Sequence, residues 1–228
     1  MIIVQQKPLN EIFEMAKNLK SLLIVGCDGC ASIIQAGGER QARVLKTLLE
    51  MEKKVKGEET PVIKAISILR QCDRQVAATA LNPLREDYDA ILSLGCGVGV
   101  QTISEVCKPN LIIPANDTKF LGMHDTKKGK FQELCSACGE CILFETGGIC
   151  PITRCAKSLL NGPCGGQSKG KCEVGGGKND CAWILIFNSL KDRNRLDLFT
   201  KFRPPKDYRL SGHPRELGGE DEDKEVSS

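Results

Sequence analysis

Eight of the thirteen cysteines fall between Cys135 and Cys181, in the order Cys135-x2-Cys138-x2-Cys141, Cys150-Pro151, Cys155, Cys164, Cys172 and Cys181. Thiolates are soft ligands that select iron-sulfur clusters and zinc. Three at successive spacings of three, with more downstream, suit a loop that winds around one cubane cluster and presents a thiolate at each turn. A zinc ribbon would instead show isolated C-x2-C pairs. The chemistry this stretch points to is iron-sulfur. Pro151 after Cys150 is like the Cys-Pro that closes a ferredoxin run, although the spacing from Cys141 is not that of a ferredoxin repeat.

The rest of the composition narrows the choice. His124 and His213 are the only histidines, so a metal site here must be built almost wholly from thiolates, which disfavours catalytic zinc. With 32 basic and 29 acidic residues the formal charge is +3, far from the concentrated positive field that nucleic acid requires. No run of eighteen apolar residues occurs, and the first residues show no basic region followed by an apolar segment, so neither a membrane nor export is expected. The reading is a soluble cytoplasmic protein whose clustered, reduced cysteines bind metal rather than form disulfides.

The elements that must position these thiols can be read from periodicity. Apolar residues at helical spacing between Pro8 and Lys20, with Asn10 as the expected cap, precede a buried-strand pattern at 21–25. A helical stretch interrupted at Gly37-Gly38 then runs to Lys53-Lys54. Strands follow at 62–67, 90–94 and 111–114, with helices at 74–81 and 98–106 between them. This alternation predicts an α/β fold: an N-terminal open parallel sheet with flanking helices, followed by an irregular cysteine-rich metal-cluster domain. Ligands of such sheets gather beyond the carboxyl ends of the strands. Cys27 and Cys30 follow the first strand, Cys72 the second and Cys96 the third, so these four converge on one sheet edge. Cys107 ends a helix at the opposite edge and is excluded.

Gly95-Cys-Gly-Val-Gly-Val-Gln101 opens a helix after a strand, like a phosphate-cradling loop, but it lacks the G-x-G-x-x-G spacing and the P-loop lysine. Its glycines fit better as room for a bulky cluster whose sulfurs accept backbone N–H bonds. A third 4Fe-4S cluster is expected at Cys27, Cys30, Cys72 and Cys96, with zinc as the alternative. Periodicity fades from Asn116 to Gln132, which reads as a surface connection. Between Cys135 and Cys181 order must come largely from metal ligation. Two clusters are expected there: Cys135, Cys138 and Cys141 on one, most of Cys150, Cys155, Cys164 and Cys172 on the other, with Cys181 unassigned. Helical patterns resume from Trp183, and Trp183 reads as a core anchor beside the last cysteine. The boundaries expected are 1–120 for the sheet domain, 121–205 for the cysteine-rich domain with its C-terminal helices, and 206–228 for a polar, disordered or partner-docking tail.

The phrases Cys135-Ser-Ala-Cys-Gly-Glu-Cys141, Cys150-Pro-Ile-Thr-Arg-Cys155, Asn161-Gly-Pro-Cys-Gly-Gly166, Gly170-Lys-Cys-Glu-Val174 and Asp180-Cys-Ala-Trp183 resemble the cysteine-rich methylenetetrahydrofolate reductase C-terminal-like domain. Together with Gly26-Cys-Asp-Gly-Cys30, Arg70-Gln-Cys72 and Leu94-Gly-Cys-Gly-Val-Gly-Val-Gln101, the chain is similar to small subunits of two-subunit methylenetetrahydrofolate reductases of acetogenic and related anaerobic bacteria. The resemblance implies a flavin-containing large subunit as partner, which holds the folate and performs its reduction. It implies for this chain a relay of electrons to that flavin from a ferredoxin or an electron-donor module. The alternative is a zinc-stabilised assembly subunit that carries no electrons.

Overall fold

The computed structural model describes residues 1–218. Residues 219–228, part of the tail expected to be disordered or partner-docking, lie outside the described residues. The chain divides into two compact units after Gln132.

The first unit opens with β1 (Ile2–Gln6) and α1 (Leu9–Ala16), followed by β2 (Ser21–Cys27), α2 (Cys30–Ile33), α3 (Glu39–Lys56), β3 (Val62–Ile68) and α4 (Arg74–Leu81). After these come β4 (Ala90–Ser93), α5 (Gly97–Val106), β5 (Leu111–Pro114), β6 (Asn116–Asp125) and the start of β7 (Lys130–Cys135), whose last three residues belong to the second unit. Strands β3-β2-β4-β5 form a wholly parallel sheet in that order. Every residue of β2 from Leu22 to Cys27 is buried, which its unbroken apolar run requires of a central strand covered on both faces. Leu22 and Ile24 pack with Ile12, Leu45 and Leu49 of α1 and α3. Leu23 and Val25 pack with Ala77, Leu81 and Ile103 of α4 and α5 on the other face. From β2 the chain passes first to β3 on one side and then, from β3, to β4 on the other. The order of connection thus reverses between β2 and β4, the place where open sheets leave a crevice.

Three expectations about the first unit are corrected. The stretch after Asn116 is a strand, not a surface connection: β6 pairs antiparallel with β1, Ile2 opposite Leu121 and Val4 opposite Thr118, and β7 completes a second sheet in the order β1-β6-β7. The boundary therefore falls after Gln132 instead of 120, because the pairing with β1 holds β6 in the first unit. Pro8 caps α1 in place of Asn10, its fixed φ of −53° suiting the residue that leads into the first turn.

The second unit contains α6 (Pro151–Arg154), α7 (Ala182–Asp192) and α8 (Leu196–Thr200), and between α6 and α7 the backbone is irregular. Its small core gathers Trp183, Ile186 and Leu190 of α7 with Ile149, Leu198 and Phe199. The polar stretch from Lys206 is folded at its start, not disordered: Lys206 and Arg203 are buried and residues Tyr208–Ser211 form a 3-10 turn.

Among the described residues no helix is long and apolar enough to cross a membrane.

Candidate metal centres

All thirteen cysteines are unpaired thiols. Twelve of them line three cavities, four to each.

The sheet-edge cavity, about 360 Å³, is lined by Cys27, Cys30, Cys72 and Cys96 together with Arg70 and Gln71. Cys27 is the last residue of β2, Cys30 the first of α2, and Cys96 the N-cap of α5. The free backbone N–H groups at the start of this ten-residue helix lie beside Cys96. Ile2 and Val4 of β1 form another part of the wall, so the second sheet, invisible in the periodicity, helps enclose the site. Burial pushes the Cys72 thiol up from its ordinary pKa, and the neighbouring Cys96 and Cys27 thiolates push it further. The Cys72 thiol therefore keeps its proton unless a positive group offsets that charge.

Gln71 is the residue that spacing did not single out here. It is fully buried, its Nε2 donates to the Val25 carbonyl at 2.9 Å, and its Oε1 accepts from Ser93 Oγ at 2.5 Å, while Ser93 Oγ accepts from the Gly95 amide. Gln71 therefore ties the loop of Cys72 to the ends of β2 and β4, next to Cys96. Gly95 and Gly99 leave it room: a Cβ on Gly95 would overlap Gln71 Oε1, and one on Gly99 would meet Gln71 Cβ at 2.8 Å. The glycines of this loop thus admit a side-chain wedge. Cys107, by contrast, is buried in the core under α5 and its thiol is raised by burial.

The second cavity, about 270 Å³, is lined by Cys135, Cys138, Cys141 and Cys150. Its loop curls through left-handed conformations at Ala137 (φ 52°) and Gly139 (φ 84°). The curl lets the Ala137 amide donate to Cys135 Sγ at 3.3 Å. Thr153 Oγ1 of α6 donates to the Leu134 carbonyl at 3.1 Å, fixing the Cys150 end of the site against the Cys135 end. Burial raises the Cys138 thiol, but a backbone hydrogen bond at Glu140 and the charge and hydrogen bond of Lys206 outweigh it, and the net direction is down.

Cys155, Cys164, Cys172 and Cys181 line the third cavity, which is nearly closed at about 10 Å³, together with Lys157, Glu173 and Trp183. An antiparallel bridge between Lys171 and Asp180, with the Cys172 amide donating to the Asn179 carbonyl and the Cys181 amide to the Gly170 carbonyl, brings two of the four together. Cys181 caps α7 as Cys96 caps α5. Lys157 Nζ lies 3.8 Å from Cys164 Sγ and pairs with Glu173. Spacing assigns most of Cys150, Cys155, Cys164 and Cys172 to one site without saying which, and leaves Cys181 unassigned. The fold puts Cys150 in the second cavity and Cys181 in the third.

Four thiols in each of three pockets fit the donor set of a 4Fe-4S cluster. The same donor set serves a four-thiolate zinc, whose sulfurs lie about 2.3 Å from one point. Among the described residues no three His, Cys, Asp or Glu side chains are gathered to hold one ion.

No curated protein and no solved structure matches the chain. Residues 113–209, which hold the second and third quartets but not the first, match the family described as methylene-tetrahydrofolate reductase C terminal. The matched segment, less than half of the chain, is what is similar to the C-terminal domain family of methylenetetrahydrofolate reductase.

Proposed function

We propose that this chain is the iron-sulfur electron-transfer subunit of a methylenetetrahydrofolate reductase complex, passing electrons from a donor protein to the flavin of a catalytic large subunit. The observation that carries the reading is the division of twelve thiols into three quartets, two of which are joined through α6. Cys150 and Cys155 flank that four-residue helix, so about 8 Å of backbone rise separates a ligand of one site from a ligand of the next. When bound, a cluster accepts and releases single electrons without making or breaking bonds to substrate. The protein's part is to hold the thiolates, supply N–H and ammonium groups to their sulfurs and limit water. The relation of residues 113–209 to the reductase family supports a reductase complex as the setting.

The test is iron, zinc and acid-labile sulfide per chain on anaerobically purified protein, with the visible spectrum followed on reduction. About twelve irons with equal sulfide are expected from three four-thiolate sites, bleaching on reduction. About eight irons with one zinc would confine transfer to the second unit. Little iron with about three zincs would replace the proposal by the zinc-stabilised assembly subunit.

A further inference from the structure

The chain beyond α8 folds back over the loop that carries Cys135, Cys138 and Cys141. Arg215 Nη1 donates to the Ala137 carbonyl at 2.7 Å. Leu210 lies so close to Gly139 that an added Cβ there would meet it at 2.8 Å. Lys206 Nζ donates to the Glu140 carbonyl, whose oxygen is 3.5 Å from Cys138 Sγ, and lies 3.5 Å from Glu140 Oε2. Its side chain is 4% exposed, whereas that of Glu140 is 48% exposed. Solvent screens the carboxylate and scarcely reaches the ammonium, so the pair does not cancel at the sulfurs and a positive charge prevails inside the site. Lys157 offers a comparison in the third cavity. It too lies beside a cysteine sulfur, but it is 42% exposed and closely paired with Glu173.

We propose that Lys206 is a positioning residue that sets the reduction potential of the group held by Cys135, Cys138, Cys141 and Cys150, its buried charge favouring the reduced form. The proposal rests on the iron-sulfur reading. Reduction adds one electron, and so one negative charge, to the site from a one-electron donor, and no bond forms or breaks. A fixed ammonium nearby lowers the energy of that added charge and raises the potential. Lys206 thus belongs to the site itself and not to a disordered tail.

The experiment is a potentiometric titration monitored by electron paramagnetic resonance on the full chain, with iron and sulfide measured on every variant. The signal of this site is identified as the one missing from Cys138→Ser. Lys206→Gln is expected to keep its iron and to lower the midpoint, so that at a fixed potential the reduced-to-oxidised ratio falls about tenfold, which is about 59 mV for one electron. Lys206→Arg should stay near wild type, Glu140→Gln should move the same signal upward, and Lys157→Gln should shift its own signal less than Lys206→Gln shifts this one. An unmoved midpoint in iron-replete Lys206→Gln overturns the proposal, as does a shift in Lys206→Arg as large as that in Lys206→Gln. If Lys206→Gln loses its iron, Glu140→Gln decides, and the absence of an upward shift there overturns the proposal as well. Wild-type protein without iron and sulfide would sink the electron-transfer reading and this inference with it, an outcome separable from iron-replete protein whose potentials ignore Lys206.

Discussion

Cys150 and Cys155 cap opposite ends of the same helical turn, yet their side chains serve different cavities, Cys150 with Cys135, Cys138 and Cys141 and Cys155 with Cys164, Cys172 and Cys181. A helix of four residues is too short to be stable by itself, so on the cluster proposal its two ends would be fixed by what Cys150 and Cys155 hold. The juxtaposition makes α6 the shortest covalent route between the two sites.

Serine at these two positions separates the sites. Cys150→Ser and Cys155→Ser should each lose or convert one cluster, about four irons or fewer, and the spectral component lost should differ between them. Both should abolish activity with the natural donor. The same component missing from both variants would refute the division.

Cys107→Ala should leave iron and sulfide per chain unchanged, because Cys107 is buried in the apolar layer under α5 and lines none of the three cavities. A stability loss of about 1 kcal/mol is expected from the small void. Loss of iron in this variant would show that the sheet-edge quartet is wrongly assigned.

Gln71→Leu removes the wedge between Val25, Ser93 and Gly95. Ser93 then lacks an acceptor in a dry site, a cost of about 1–3 kcal/mol. The loops of Cys72 and Cys96 lose their common tie, so iron bound by the first unit should fall while the signals of the second unit persist. Unchanged metal content together with an unchanged unfolding midpoint would remove Gln71 from the site.

Trp183→Ala should be among the most damaging changes in the second unit. Trp183 is 1% exposed, donates from Nε1 to the Leu159 carbonyl at 3.0 Å and carries the Arg203 guanidinium 5.4 Å from its ring centre. Truncating a buried aromatic of this kind costs about 3–5 kcal/mol. Faster loss of one cluster's absorbance in air is the expected readout, since Trp183 also lines the third cavity. Wild-type stability in air would leave it as a core anchor alone.

Removing the metal under anaerobic chelation should unfold the two units unequally. From Cys135 to Cys181 the single short helix α6 and two isolated bridges are the only regular structure, so ordering there depends on ligation. Hydrogen exchange should lose protection across that segment, while the amides of β2 and β4, between two layers of helices, keep theirs. Equal loss in both units would contradict this.

Local pattern was enough for the parallel sheet. The unbroken apolar runs at β2 and β4, written strongly by burial on both faces, and the helical spacing of α3, α4 and α5 are short-range signals. The convergence of Cys27, Cys30, Cys72 and Cys96 followed from them, because βαβ handedness fixes which strand ends share an edge. The second sheet was not legible: β6 and β7 are largely half-buried or exposed, and β1 finds its partner more than a hundred residues away. Nor could spacing divide Cys150 from Cys155 or show that Lys206 returns to Glu140. Those pairings join distant points of an irregular chain, where no periodicity records which residues meet, and only the closed tertiary contacts decide them.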